Sequence, residues 1–145
     1  MWSALNFLAP QVSHNELLRR SARLLLRQAH AEQSSVALPV LRRIIAAKIV
    51  PEQKLSALFS ARETLQLKHM LRMVAVELGF DSWESCKQEV DALPPAALDR
   101  YRFDLGAFND FEKIWFPDEP SALAWQKESG GYVVRYGEQA VGIVM

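Results

Sequence analysis

The stretch Ala75–Lys87, AVELGFDSWESCK, decides how this chain is read, because within it one helix stops, turns through Gly79-Phe80 and a second helix starts. Gly79 supplies the left-handed backbone that ends a helix, Phe80 folds back beneath it, Asp81 or Ser82 caps the next helix, and Trp83 plugs the angle between the two. Such a corner could instead be a DNA-reading helix-turn-helix. That motif needs apolar anchors six and nine residues after the turn glycine, which hold the second helix while its other face enters the major groove. Here those positions are Ser85 and Gln88, both polar. Trp83, Cys86 and Val90 share a different face, and Glu84, Glu89 and Asp91 are carboxylates that phosphate would repel. The corner is built for packing.

On its N-terminal side the sequence predicts four helices. Ser13-His14-Asn15-Glu16 has the form of a capping box and opens a first helix from about His14 to Ala31, with Leu18, Ala22, Leu25 and Ala29 as one buried stripe. A second helix is expected from about Ala37 to Ile49, with Pro39 in its first turn, where no amide hydrogen is needed. Pro51 opens a third, to Ser60, that turns Leu55, Leu58 and Phe59 inward. Ser60-Ala61-Arg62-Glu63, with Thr64 as a rival cap, starts a fourth that runs to Leu78 and buries Leu67, Met70, Leu71, Val74 and Leu78. The fifth runs from Trp83 to about Ala92.

Leu93-Pro94-Pro95 cannot continue a helix and marks the candidate boundary. Beyond it, Phe111–Trp115 alternates like a half-buried strand. PDEPSALAWQKES reads as a helix, with Asp118 or Glu119 near its start and Gly130-Gly131 past its end. YVVRYGEQAVGIV reads as a hairpin around Tyr136-Gly137-Glu138-Gln139. The expected fold class is α+β: an irregular bundle of four to five helices followed by a small strand-helix-hairpin unit. The helical, basic-faced part spans 1–92 and the small acidic part 93–145, docked as one compact unit.

The segment LKHMLRMVAVELGFDSWESCKQEVDAL, Leu67–Leu93, resembles a helical segment with a G-F-x-S-W signature that recurs in poorly characterised bacterial proteins, sometimes beside ankyrin repeats or glyoxalase-like domains. The resemblance implies a structural corner. It carries no activity, and neither neighbouring pattern is present in this chain.

Composition excludes more than it selects. With 145 residues, half of them hydrophobic, the chain is long enough for one real core. A single Cys86 allows no internal disulfide, so the cytoplasm is the expected compartment. The apolar start MWSALNFLAP lacks a basic first segment and a cleavage site, and reads as a packed arm. No run approaches the ~20 apolar residues of a membrane span. Net charge is zero, but residues 1–76 hold eleven basic and four acidic side chains, net +7, and residues 77–145 six basic and thirteen acidic, net −7. Halves so different invite an anionic partner for the first, or head-to-tail contact between the two.

Arg19, Arg23 and Arg27 step by four along the first helix with Arg20 beside them, and these four are the candidate binding residues, for an acidic protein surface or for phosphates. No aromatic residue interleaves with the row, so single-strand stacking is not indicated. No metal site is expected, since His14, His30 and His69 lack partners at ligand spacing. No cofactor is expected either: the glycines of SGGY, Ser129–Tyr132, close a helix, whereas a phosphate loop opens one. A Cys86–His69 dyad is disfavoured because Cys86 lies on the packing stripe of Trp83 and Val90. The acids Asp99, Asp104, Asp110 and Glu112 form no motif, and the dense aromatics of the second half make either a core or an exposed patch.

The function expected from sequence is a non-enzymatic bacterial interaction protein whose basic helical face meets an acidic partner. The alternatives are a nucleic-acid-associated protein that binds phosphates without base readout, and an enzyme with a pocket between the two parts. A homodimer is a further candidate, formed through a free edge of the last strand, Ala140–Val144.

Overall fold

A computed structural model describes residues 12–145; the apolar arm, residues 1–10, lies outside the described residues. The fold is α+β, with seven α-helices and one three-stranded antiparallel sheet among the described residues. It divides into two compact units, one of residues 13–93 and one containing residues 94–145.

The helical unit holds α1 (His14–Ala29), α2 (Ser34–Ala46), α3 (Leu55–Ser60), α4 (Leu67–Glu77) and α5 (Trp83–Glu89), with 3₁₀ turns at Arg62–Thr64 and Val90–Ala92. At the start of α1, Ser13 Oγ accepts the Glu16 amide at 3.1 Å, satisfying one of the free donors of a helix N-terminus. The expected stripe Leu18, Ala22, Leu25 and Ala29 is buried, and α1 packs on α2 and α4. Leu41, Ile44, Met70, Met73 and Val74 complete this core.

Three helix starts differ from the sequence expectation. Helix α2 begins at Ser34, so Pro39 sits inside it. The proline removes a bond to the Ser35 carbonyl, but the turn before it is already closed by the Val36 and Ala37 amides, both donating to Gln33 O at 3.1 Å. Helix α3 begins at Leu55 and not Pro51, because the Glu52 carboxylate takes the Gln53 and Lys54 amides at 3.1 and 2.9 Å and holds that segment in a turn. Helix α4 begins after Gln66. The rival caps are otherwise engaged, Ser60 Oγ donating to Ser56 O and Thr64 Oγ1 to Ala61 O. The inner face of α4 is Met70, Met73, Val74 and Ala75, while Leu67, Leu71 and Leu78 are only partly covered.

The corner forms as its residues require. Gly79 has φ 93°, the Phe80 amide donates to Ala75 O and the Gly79 amide to Val76 O, both at 2.9 Å. This is the Schellman pair of bonds that closes a helix on a left-handed residue. Ser82 Oγ then accepts the Ser85 amide at 3.1 Å and caps α5. Cys86 and Val90 are fully buried, whereas Trp83 is half-buried. The unit closes on itself where Asn15 binds Asp91 and the Lys87 carbonyl, and His14 Nε2 meets Leu93 O at 3.0 Å.

In the second unit, where the sequence offered no element between 94 and 110, a 3₁₀ turn (Pro95–Leu98) leads into α6 (Asp99–Asp104). Then follow β1 (Lys113–Phe116), α7 (Glu119–Ser129), β2 (Tyr132–Tyr136) and β3 (Gln139–Ile143). The spatial order is β1-β3-β2, with Trp115 opposite Val141 and Val134 opposite the same residue from the other side. The last strand is therefore central and paired on both sides, which overturns the expected dimer contact through Ala140–Val144. The true edges are β1 and β2, and β1 is blunted by its length, by Lys113 and by Pro117. One sheet face packs Val134, Val141 and Ile143 on Phe108. On the sheet, the Trp125 ring of α7 lies flush against bare backbone: a Cβ on Gly142 would stand 2.6 Å from it, and one on Gly131 2.5 Å.

Candidate functional site

The basic side chains of the helical unit fall into two groups once placed. Arg43 and Arg62 hold the fold together. Arg43 Nε and Nη2 donate to the two Glu77 carboxylate oxygens at 2.8 and 2.7 Å, with both side chains nearly covered. Arg62 donates to Ala31 O and Phe59 O at the ends of helices, with its guanidinium over the Phe59 ring.

The row named from sequence divides further. Arg20 and Arg23 share one Glu16 oxygen, at 3.4 and 3.3 Å, so part of their charge is met within α1. Arg27 is exposed in the last turn of α1, where a cation faces the partial negative charge of the helix end. Arg19 turns away from the row and lies over the Trp83 ring, 5.4 Å from its centroid. Arg19 is thus joined, through Trp83, to a concave feature.

That feature is a groove the sequence did not reveal. Ile49, Lys68, His69, Arg72, Ser82, Trp83 and Glu84 line a hollow of about 410 Å³. An open trough of about 900 Å³ shares Ile49 and Arg72 with it and is also lined by Ile45, Lys48, Val50 and Pro51. The apolar lining side chains are Ile45, Ile49 and Trp83. Lys48, Lys68 and Arg72 are exposed, and Glu84 is paired with Lys87 at 3.1 Å. These residues come from the end of α2, from α4 and from the start of α5. No spacing in the sequence joins them.

His69 shows what the groove can and cannot do chemically. Its Nδ1 accepts the Gln66 amide at 2.8 Å, which places the proton of the neutral ring on Nε2. Burial, then the charges of Lys68 and Arg72, hold its pKa below the ordinary imidazole value. A neutral imidazole tied to the backbone is a positioned wall group. Cys86 is fully buried, and burial pushes its thiol up to about 11, away from the thiolate form. Ser82 Oγ is engaged with the Ser85 amide and hydroxyl. Among the described residues no three His, Cys, Asp or Glu side chains are placed to hold a metal ion, and no helix is long and apolar enough to cross a membrane.

The second unit buries its own ionisable cluster. Tyr132 donates its hydroxyl to Asp99 Oδ2, Arg102 Nη1 lies 3.8 Å from Asp99 Oδ1, and Arg102 also donates to Pro95 O. Burial pushes the Asp99 carboxyl and the Tyr132 hydroxyl up and the Arg102 guanidinium down, and the Tyr132 hydrogen bond and Arg102 charge oppose the rise at Asp99. One turn along, Tyr136 donates to Asp104. Two of the acids that formed no motif in sequence are therefore clamps between α6 and β2. The aromatics split in the same way: Phe108 is fully buried, while Trp115 is 51% exposed although it meets Phe103 and Tyr136 edge-on.

No family model matches the chain, and neither the curated proteins nor the solved structures contain a significant match to it.

Proposed function

We propose that this protein is a non-enzymatic binding module, and that the groove of its helical unit takes an acidic segment of a partner protein. The observation that carries this reading is that the apolar side chains Ile45, Ile49 and Trp83 line adjoining hollows together with the exposed cations Lys68 and Arg72. Apolar side chains of a partner segment fit this lining, and its carboxylates reach the cations. Arg19, stacked on Trp83, extends the positive potential from the groove toward the row of Arg20, Arg23 and Arg27. Phosphate binding is the weaker reading of the same charges. Glu84 lines the groove and Glu16 lies within the row, where a polyphosphate backbone would meet them.

The test uses a fluorescein-labelled peptide of alternating glutamate and leucine, followed by anisotropy, with wild-type protein and with Lys68→Glu and Arg72→Glu. Saturable binding that both substitutions abolish, and that excess duplex or single-stranded nucleic acid does not displace, is the expected result. Efficient displacement by nucleic acid would transfer the site to phosphates. Equal binding by all three proteins would remove the groove from the function.

A further inference from the structure

Two helices of the helical unit end by the same device but with different residues. At the end of α4 the left-handed position is Gly79. At the end of α2 the Ile49 amide donates to Ile44 O at 3.2 Å and the Lys48 amide to Ile45 O at 3.0 Å, the same pair of bonds, and the left-handed residue is Lys48, with φ 57°. Among the described residues it is the one non-glycine with positive φ. A lysine there crowds its Cβ against its own carbonyl, a penalty glycine escapes. Its ammonium is paired with no carboxylate among the described residues, and its side chain is exposed at the wall of the trough beside Ile49 and Arg72. The negative end of α2 favours a cation here, as at Arg27, but backbone preference does not favour a lysine at the left-handed position itself.

We infer that Lys48 is a carboxylate-binding residue of the groove, a lysine at a position that favours glycine, presenting its charge to the partner. This rests on the binding role proposed above and adds the contact that fixes one end of the segment. The left-handed backbone at residue 48 turns the chain into Ile49 and Val50, so the ammonium is carried on the same bend that builds the apolar wall. An acidic segment lying along the apolar lining then meets Lys48 at one end and Lys68 at the other, with Arg72 common to both hollows.

Three substitutions read charge and backbone separately. Lys48→Gly removes both the charge and the strain, Lys48→Ala removes the charge alone, and Lys48→Arg keeps both. Each is measured by thermal melting and by anisotropy with the glutamate-leucine peptide. The inference predicts that K48G melts roughly 2–4 °C higher than wild type and binds about fivefold more weakly. K48A should bind as weakly as K48G without melting higher than wild type, and K48R should bind within about twofold of wild type. If K48G and K48A bind like wild type while K68E and R72E have lost binding, Lys48 is not a contact and the groove reading stands alone. If all of these variants bind like wild type, the groove reading fails and takes the inference with it. A K48G protein that melts lower than wild type would refute the argument from the backbone.

Discussion

Replacing Arg43 with alanine separates an arginine that holds the fold from those that face water, and the size of the effect follows from its geometry. The guanidinium makes two parallel bonds to Glu77, at 2.8 and 2.7 Å, across the thirty-four residues that separate α2 from the end of α4, and the two side chains are 13% and 12% exposed. Removing one partner of a covered pair leaves the other desolvated and uncompensated, at a cost of about 3–5 kcal/mol. Because roughly a tenth of each side chain stays wet and water can enter the gap, Arg43→Ala should fall at the lower end, about 3 kcal/mol. Arg43→Lys keeps the charge but loses the fork and should cost about 1–2 kcal/mol. The assay is urea unfolding followed at the far-ultraviolet helix signal, run as a double-mutant cycle with Glu77→Gln. Coupling of about 2 kcal/mol is expected. A single-substitution cost below about 1 kcal/mol, or strict additivity with E77Q, would refute the assignment of this pair to the fold.

Other consequences can be checked in the same way. Gly142→Ala drives a methyl group to within 2.6 Å of the Trp125 ring in the central strand, so it should destabilise by about 1–3 kcal/mol. Trp125→Leu in the same chain should recover part of that loss, and an unchanged denaturation midpoint for G142A would show that α7 does not press on the sheet. His69 has a folded pKa below its unfolded value of about 6.5, so its contribution to stability is complete above that value and is lost as pH falls through the folded pKa. His69→Gln keeps an acceptor for the Gln66 amide without titrating. It should match wild type at pH 8 and lose less stability below pH 6, and parallel stability curves for the two proteins would remove His69 from the acid response.

What the sequence made legible was whatever rests on neighbours a few residues apart. The Ser13 cap, the α1 stripe, the Gly79 corner, the Asp118 cap and the hairpin at Gly137 are local patterns, and each stands where its residues place it. Side chains that take backbone amides moved the starts of α3 and α4, Glu52 holding those of Gln53 and Lys54 and His69 that of Gln66, whereas α2 starts from the Gln33 carbonyl, with no side-chain cap to announce it. Strand order was not legible from local pattern, and it made the last strand central. The Tyr132–Asp99 and Tyr136–Asp104 clamps span more than thirty residues, so nothing in the spacing of the acids announced them. The candidate site suffered most from this. The arginine row of α1 is visible as a period of four, whereas Lys48, Lys68, Arg72 and Trp83 converge only after three helices have packed. Lys48 itself was expected inside a helix running to Ile49, but the helix ends at Ala46 and leaves Lys48 in the left-handed turn beyond it.

The most direct test of the groove as a binding surface is a two-dimensional nitrogen–proton NMR titration with the glutamate-leucine peptide. The largest shifts should fall on the Trp83 indole and on the backbone amides of Lys48, Ile49, Lys68 and Arg72, with Trp115 unmoved. Shifts concentrated on Trp115, Ile114 and Leu123, the exposed apolar side chains of the second unit, or confined to Arg23 and Arg27 of α1, would contradict the groove reading.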